Sequence, residues 1–422
     1  MTPHTKTIGT KIRERSKAMR GSRLFTTGIA LASLLLVAAV PAWAEHVGFQ
    51  CPATITDPVT GETDNPNVQC RHVSAGDGFV TMADGRPLYM FGFADMTGVP
   101  ELEVMDMGML AQGFPGPTLV AEEGKDFYLG LTNVGMVVRP DLFDPHTVHW
   151  HGFPNASAIF DGVPDASISI NMGGTLTYYY KVPGPGTYMY HCHVEATEHM
   201  QMGMLANLYV RPLQDGTSIE YPPASGKSYT KFAYNDVDGS TGYDVDYPIQ
   251  IGSFDPDFHD ASETVQPLPF AMMKDKYAML NGRGYPDTVN PGPLGPVDHE
   301  LARPDVESQR VSSLITATAG QKILLRISNL NITRFNTLAT LGIPMQVVGI
   351  DAKQLKSTDG VNLYYMTNSV TLGGGMAVDV ILDTTGIATG TYFLYTTNLE
   401  FLTNNGEDFG GQMTEIRIAA GP

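Results

Sequence analysis

One short segment constrains this chain more than any other. Between Tyr190 and Met204 the sequence is YHCHVEATEHMQMGM, in which a cysteine lies between two histidines and a further histidine and a methionine follow. A blue, type 1 copper site uses one cysteine thiolate, two imidazoles and a weak axial thioether. Cys192, His199 and Met204 supply three of these four donors. The segment therefore predicts a copper-binding loop.

A second histidine-rich segment lies upstream, HTVHWHG, where the fourth copper donor is expected. In an extended strand alternate side chains share a face, so His149 and His151 point the same way. The same rule applies to His191 and His193. Two such pairs on neighbouring strands would place four imidazoles around one point, which predicts a second metal-binding surface.

Cys192 lies between His191 and His193 and must therefore face the opposite side of its strand. There it would lie inside its own sandwich, where it can be surrounded by His199, Met204 and, from the upstream segment, His146. One tripeptide would thus serve two copper sites. Its backbone would carry electrons from the first site to the second.

These segments resemble the multicopper oxidase family, which includes laccases and, more distantly, copper nitrite reductases. The resemblance extends, in the family's order, to QGFPGPT (112–118), FDGVPD (160–165) and PGTYMYHCH (185–193). It implies copper as the cofactor, as type 1 copper and additional type 2 or type 3-like copper. The implied type 1 ligands are His146, Cys192 and His199, with Met204 axial. The implied ligands of the second, catalytic copper site are His149, His151, His191 and His193.

One region departs from the family pattern. A complete trinuclear oxygen-reducing site needs twice as many histidines as the four present here. The chain from about Lys231 resembles the family's non-catalytic domain, yet it contains no HxH. Where a ligand-bearing domain would have histidines, it has Leu341-Gly342-Ile343 and Thr397-Asn398-Leu399. Full four-electron reduction of oxygen by one chain is therefore not expected.

Composition and patterning indicate β structure. The 422 residues include 45 Gly and 29 Pro, only 17% are charged, and β-branched and aromatic runs recur between turns such as PGPG and NGRG. Such a pattern is typical of β-sandwiches, and the length suits two domains with a core each. Together with the resemblance, it predicts an all-β fold of two consecutive cupredoxin-like Greek-key β-sandwich domains.

The predicted organisation has four parts. Residues 1–44 combine a basic stretch, the apolar run GIALASLLLVAAV and a small-residue AWA end, which predicts a cleaved signal peptide and export to the periplasm or the extracellular space. A copper-binding domain at 45–212, a linker at 213–228 and a second cupredoxin-like domain without paired histidines at 229–422 follow. No membrane span is expected after cleavage. Met19 is an alternative start, and an uncleaved anchor is the alternative to a signal peptide.

Charge limits the partners. Without residues 1–44 the chain has 19 Lys and Arg against 43 Asp and Glu, a net charge of −24. Nucleic acid is therefore not expected as a partner, whereas a cationic electron donor or a basic redox protein could be concentrated at such a surface. The alternative is that acidity only keeps an exported protein soluble.

The remaining cysteines and histidines have simpler interpretations. Cys51 and Cys70 could form a disulfide in an oxidising compartment, or they could be two unrelated thiols. In either case Cys192 is left as an unpaired thiolate. Outside the two ligand segments and the leader, the histidines are expected at the surface or in loops; they are His46, His72, His259 and His299.

Two functional hypotheses remain. In the first, the protein is an exported copper-dependent oxidoreductase that takes single electrons from a phenolic or metal-ion substrate at type 1 copper and passes them to the histidine-bound copper site. In the second, it is a non-enzymatic electron carrier or copper-binding protein.

A homo-oligomer is expected for the oxidoreductase, because one two-domain chain cannot close the histidine site alone. A trimer, as in two-domain relatives, would bring a second domain against the four-histidine face. A two-fold contact between first domains would instead double the histidines.

Overall fold

The architecture is that of a computed structural model, which describes residues 48–154, 156–264 and 267–421. The predicted signal peptide lies outside these residues. The described residues form one compact unit. Across the described ranges, every helix is too short or too polar to cross a membrane.

The first sandwich contains ten strands in two sheets. Six form one sheet in the order β1-β2-β3-β6-β8, with β4 paired to β3, and four form the other in the order β5-β10-β9-β7. The pairs β3/β6 and β5/β10 are parallel. The strands are β1 (Ile55–Asp57), β2 (Glu62–Thr63), β3 (Val68–Thr81), β4 (Pro87–Asp95), β5 (Leu119–Glu122), β6 (Asp126–Gly135), β7 (His149–His151), β8 (Thr175–Lys181), β9 (Gly186–His191) and β10 (Leu205–Arg211).

A small antiparallel pair, β11 (Ile219–Glu220) and β12 (Ser228–Tyr229), connects to the second sandwich. One large sheet there has the order β19-β18-β22-β16-β13-β14-β24-β25, with β20 on β18, and the other has the order β15-β26-β23-β17-β21. The strands are β13 (Val245–Phe254), β14 (Tyr277–Leu280), β15 (Ile315–Thr318), β16 (Lys322–Asn329), β17 (Asn336–Thr340), β18 (Met345–Ile350), β19 (Lys353–Gln354), β20 (Tyr365–Thr367), β21 (Ser369–Leu372), β22 (Met376–Asp383), β23 (Gly390–Thr396), β24 (Thr403–Asn404), β25 (Glu407–Asp408) and β26 (Met413–Ala419).

Helices in the described residues are short and lie in the connections. The α-helices are α1 (Val104–Gly108), α2 (Ala196–Gln201) and α3 (Pro256–Thr264). Single 3-10 turns occur at Glu101–Glu103, Ala158–Phe160, Phe270–Met272, Asp287–Val289 and Leu399–Phe401. Helices of this length are marginal in isolation and depend on tertiary contacts. The all-β prediction is confirmed.

Apolar clusters hold the described residues together, and three of them are large. The first sandwich has a core rich in aromatic side chains, which includes Phe91, Phe127 and Trp150. The second has an aliphatic core, and a third, methionine-containing cluster takes side chains from both sandwiches. Because burying each large apolar side chain contributes about 1.5–3 kcal/mol, the shared cluster favours a close association of the two sandwiches. The boundaries 45–212, 213–228 and 229–422 stay predictions.

Two expectations about individual residues can be compared with the structure. Cys51 and Cys70 form a disulfide, which confirms their pairing and leaves Cys192 as a buried free cysteine. The expectation of surface or loop histidines is wrong for His72 and His259, which are 2% and 0% exposed. His72 lies on β3 and His259 on α3. His46 lies outside the described residues.

Candidate metal centre

Cys192, His146 and His199 meet inside the first sandwich. His146 precedes β7, Cys192 follows β9, and His199 lies on α2. The Cys192 sulfur is 3.2 Å from Nδ1 of His199 and 3.9 Å from Nδ1 of His146. All three side chains are fully buried. Two imidazole nitrogens therefore face one sulfur, as the sequence predicted.

Met204 is brought to the same place by the backbone of its loop. The Met204 N–H donates to the carbonyl of His199 (2.8 Å), and the Cys192 N–H donates to the carbonyl of Met204 (3.1 Å). The Met204 side chain is fully buried in the same core cluster as Cys192. A chain that returns on itself in this way can present a thioether beside the thiolate.

The donor set and its unpaired atoms fit a bound copper ion. The backbone N–H of Thr147 donates to the Cys192 sulfur at 3.5 Å. Within the described residues, Nε2 of His146 and Nε2 of His199 have no hydrogen-bond partner. One thiolate, two imidazoles and a thioether, all buried, match the chemistry of a blue copper site.

Protonation distinguishes the two buried imidazoles. Burial lowers the pKa of His146 well below its ordinary value, and the neighbouring His199 lowers it further. Burial acts the same way on His199, but the Cys192 sulfur and the Asp144 carboxylate outweigh it and raise the pKa of His199 to about 10. Asp144 lies 3.8 Å from Nε2 of His199, too far for a hydrogen bond but close enough for attraction. A metal at this site would therefore compete with a proton on His199.

The four paired histidines form a second cluster at the edge of the same sheet. His149 on β7 stands directly opposite His191 on β9, and their rings are 5.2 Å apart. Nδ1 of His151 is 3.3 Å from Nε2 of His191. The His193 ring lies 5.2 Å from that of His149. The strand alternation used in the sequence interpretation thus brings all four rings together.

Two backbone contacts orient this cluster. Nδ1 of His149 lies 2.6 Å from the carbonyl oxygen of Asp161, and Nδ1 of His191 lies 2.7 Å from that of Cys192. A ring whose Nδ1–H donates to a carbonyl keeps a lone pair on Nε2, which is the tautomer a metal ligand needs. Burial also lowers the pKa of His149, of His151 and of His191, the last to about 3. These rings are therefore neutral and able to bind a metal at ordinary pH.

The histidine cluster opens into a pocket of about 470 Å³ whose other wall belongs to the second sandwich. That wall consists of residues 330–335 with Gly374 and Gly375, and it contributes no histidine within the described residues. A side chain at Gly375 would meet Nε2 of His151 at 2.7 Å, so the close approach requires glycine. The second sandwich of the same chain already faces the four histidines. The trimer interpretation considered this role for a neighbouring chain, and the trimer itself stays a prediction.

Sequence reasoning missed the groups that support the ligands. Asp161 lies within the FDGVPD motif, so its position was available, but its contact with His149 was not. Asp144 lies two residues before His146, and no sequence pattern predicts that its carboxylate lies near His199. Asn331 and Thr333 come from the second sandwich and line the pocket. Such contacts join residues that are far apart in sequence.

Comparison with known proteins agrees with this geometry. Residues 97–215 and 259–416 each match a family model described as multicopper oxidase. The multicopper oxidase MCE of Talaromyces pinophilus is 33% identical over 120 residues, which are 28% of this chain and 18% of that protein. The multicopper oxidase MmcO of Mycobacterium tuberculosis (strain ATCC 25618 / H37Rv) is 40% identical over 80 residues, 19% of this chain and 14% of that protein. The matched segments thus span less than a fifth of these curated relatives.

Solved structures agree in fold. The blue copper oxidase from Nitrosomonas europaea superimposes with a TM-score of 0.59 at 22% identity, over 83% of this chain and 86% of that one. The copper nitrite reductase from the same organism has a TM-score of 0.55 at 16% identity, over 83% and 94%. These similarities confirm the two consecutive cupredoxin-like Greek-key β-sandwich domains. The two family matches cover more than half of the chain, and the chain belongs to the multicopper oxidase family, whose members use copper.

Proposed function

We propose that this protein is an exported copper-dependent oxidoreductase. It takes single electrons from a phenolic or metal-ion substrate at the buried centre of the first sandwich and passes them to the four-histidine pocket. The buried centre comprises His146, Cys192, His199 and Met204. The pocket comprises His149, His151, His191 and His193.

One observation carries the proposal. Cys192 lies at the end of β9 with its sulfur against His146 and His199, while its neighbours His191 and His193 belong to the pocket. The same strand end therefore connects two metal-binding clusters through three consecutive residues. A protein that only stored or carried copper would not need this connection.

Copper, when bound, would supply the one-electron chemistry, and the residues of the chain have three separate tasks. The core around Cys192 excludes water from the sulfur. The backbone carbonyls of Asp161 and Cys192 hold His149 and His191 in one orientation. Asn331, Thr333 and Arg334 give the pocket a polar wall in which a small acceptor can bind.

Export and partners are part of the proposal. The basic and apolar leader and the Cys51–Cys70 disulfide both suit an oxidising, periplasmic or extracellular location. The acidic balance suits a metal-ion donor or a basic redox protein. We also expect a homo-oligomer, with a trimer as the favoured form.

Copper counting tests the function. We expect purified, copper-loaded protein to contain more than one copper per chain, with a type 1 electron paramagnetic resonance signal and a separate one. In His151→Ala the oxidation of a phenol or of Cu(I) should be lost while the blue absorption remains, because His151 belongs only to the pocket. Leu341→Ala, in the second sandwich, is the matched control and should retain both.

The alternative function, an electron carrier, predicts a different outcome. One copper per chain, a blue absorption and no turnover of either donor would support the carrier and contradict the oxidoreductase.

A further inference from the structure

The loop that carries His199 and leads to Met204 has little internal structure. It consists of α2, six residues long, followed by Met202 and by Gly203, whose φ is 114°. So short a helix does not hold its own shape. Its geometry must therefore be set by contacts with the surrounding protein.

Gln201, between His199 and Met204, makes two such contacts, both with the second sandwich and its connections. It is 2% exposed. Its side-chain Nε2 donates to Oδ1 of Asp275 at 3.2 Å. Its carbonyl oxygen lies 3.0 Å from Nε2 of His259 on α3.

Asp275 is a buried carboxylate that joins the loop to the wall of the histidine pocket. It is 6% exposed. Its Oδ2 accepts hydrogen bonds from the hydroxyls of Ser253, at 2.5 Å, and of Thr333. Thr333 lines the pocket. One side chain therefore contacts the ligand loop of the first sandwich and the pocket wall of the second.

His259 holds the same loop from its main-chain side. The ring is fully buried, and Nδ1 lies 2.6 Å from the carbonyl oxygen of Tyr89 on β4. Carbonyl oxygens only accept, so the ring donates to one carbonyl when neutral and to both as imidazolium. In either state it occupies the space between β4 and the loop. This contact gives a buried histidine outside the ligand set a defined structural task.

We propose that Asp275 and His259 are positioning residues, through which the second sandwich, whose described residues include none of the proposed copper ligands, fixes the loop that presents His199 and Met204. For its consequences on bound copper, this inference rests on the proposed function. For the metal-free protein it stands alone.

The test follows the Cys192 thiol in the metal-free protein. Cys192 is buried, and the other two cysteines are paired, so a thiol reagent reaches it only when the loop opens. Loss of one hydrogen bond that holds the loop should raise the labelling rate by about tenfold. We expect this increase in Asp275→Ala and in His259→Ala.

Conservative and control variants separate positioning from general destabilisation. Asp275→Asn should label at the wild-type rate, because the Gln201 amide can turn over and accept from the new amide. Asp236→Ala and His72→Ala remove a buried carboxylate and a buried histidine that bond other residues. They should leave labelling within about twofold of wild type. If Asp275→Ala does not fold, Gln201→Leu tests the contact from the loop side.

Copper spectroscopy provides the second measurement. With one blue copper retained, Asp275→Ala and His259→Ala should change the copper hyperfine splitting and the reduction potential, whereas the controls should not. Unchanged thiol labelling in both variants would overturn the inference. A wild-type protein that binds no blue copper would overturn the proposed function, while the labelling of metal-free protein would still decide the positioning role.

Discussion

The ligand-bearing strands of the first sandwich have counterparts in the second that bear no ligands. The first sheet runs β5-β10-β9-β7, and the second runs β15-β26-β23-β17 before β21. In each, the third and fourth strands pair antiparallel and the first two pair parallel. The two regions are therefore copies of one backbone arrangement with different side chains.

The segment HTVHWHG of the first sandwich has a counterpart of the same length in the second, NTLATLG. HTVHWHG ends at Gly152 and NTLATLG ends at Gly342, and both glycines have a positive φ, 77° and 89°. Each is followed by one apolar residue and a proline. The equivalent pairs are His146 and Asn336, His149 and Ala339, and His151 and Leu341.

Backbone hydrogen bonds align the loop that begins at Cys192 with its counterpart in the second sandwich. The Cys192 N–H donates to the Met204 carbonyl at 3.1 Å, and the Thr396 N–H donates to the Gln412 carbonyl at 2.9 Å. Thr396 therefore replaces Cys192, and Gln412 replaces Met204. The residues that flank Thr396, in place of the two pocket histidines, are Tyr395 and Thr397. The sequence interpretation had put Thr397-Asn398-Leu399 in this place, which is wrong, because the strands align without a gap from Gly186 and Gly390. It had likewise put Leu341-Gly342-Ile343 opposite the upstream histidine pair, where Ala339-Thr340-Leu341 lies.

The comparison shows that the same strand arrangement can carry a metal site or lack one. Asn336, Thr396 and Gln412 are at most 1% exposed, as their counterparts are. The side-chain oxygens of Asn336 and Gln412 have no hydrogen-bond partner within the described residues. Amide and hydroxyl oxygens are hard donors, whereas blue copper needs a soft thiolate. In addition, a 3-10 turn and a short hairpin stand between Thr396 and Gln412, where the first sandwich has the helix that carries His199. We therefore expect side-chain chemistry and this different loop to restrict copper to the first sandwich.

The largest effect that would test this contrast is expected from Cys192→Ser. It should abolish the blue absorption and all oxidase activity while the fold is kept, because one metal–thiolate bond is lost and both cores remain. Copper content, absorption and circular dichroism measure the outcome. Thr396→Ser at the equivalent position of the second sandwich should change none of them. Retained blue absorption in Cys192→Ser would show that Cys192 is not the ligand.

An intermediate effect is expected from acid on the metal-free protein. The pKa of His191 is lowered to about 3 and that of His72 to about 4, from an ordinary value of 6.5. Between these values the unfolded chain binds more protons, so the free energy of unfolding falls as pH falls below 6.5. For His191 alone the loss by pH 4 is about 3 kcal/mol. The raised pKa of His199 changes the free energy of unfolding only between pH 6.5 and about 10, so it does not offset this loss in acid.

Hydrogen exchange can locate the acid effect within the comparison. At pH 4 to 5, amide protection should fall first in β7 and β9 of the first sandwich, which carry the partly buried His149 and His151 and the buried His191. Their counterparts β17 and β23 contain no histidine and should keep their protection. Equal loss in both pairs of strands would show that histidine protonation is not the cause.

The smallest effect is expected from the axial position. Met204→Leu should keep one blue copper and raise its reduction potential, because a weak axial donor mainly tunes redox energy. Met204→Gln, which installs the residue of the second sandwich, should keep copper and lower the potential, since a harder oxygen donor favours Cu(II). Voltammetry measures both shifts. Loss of copper from Met204→Leu would contradict the axial role.

Much of the site could be predicted because its chemistry is local in sequence. The alternation of side chains along a strand placed His191 and His193 on one face and Cys192 on the other, without reference to the rest of the chain. The same rule paired His149 with His151. Loop spacing then brought His199 and Met204 back to Cys192. The all-β class followed from turn residues and β-branched runs.

The sequence by itself determined the ligand types, their faces and the loss of histidines from the second copy, since each depends on neighbours a few residues away. Only the tertiary structure decided that the second sandwich of the same chain lines the histidine pocket. It also decided that His259 and Asp275 hold the Gln201 segment. These contacts join residues separated by more than fifty positions, and their geometry follows from how the two sandwiches pack. No local pattern encodes that packing.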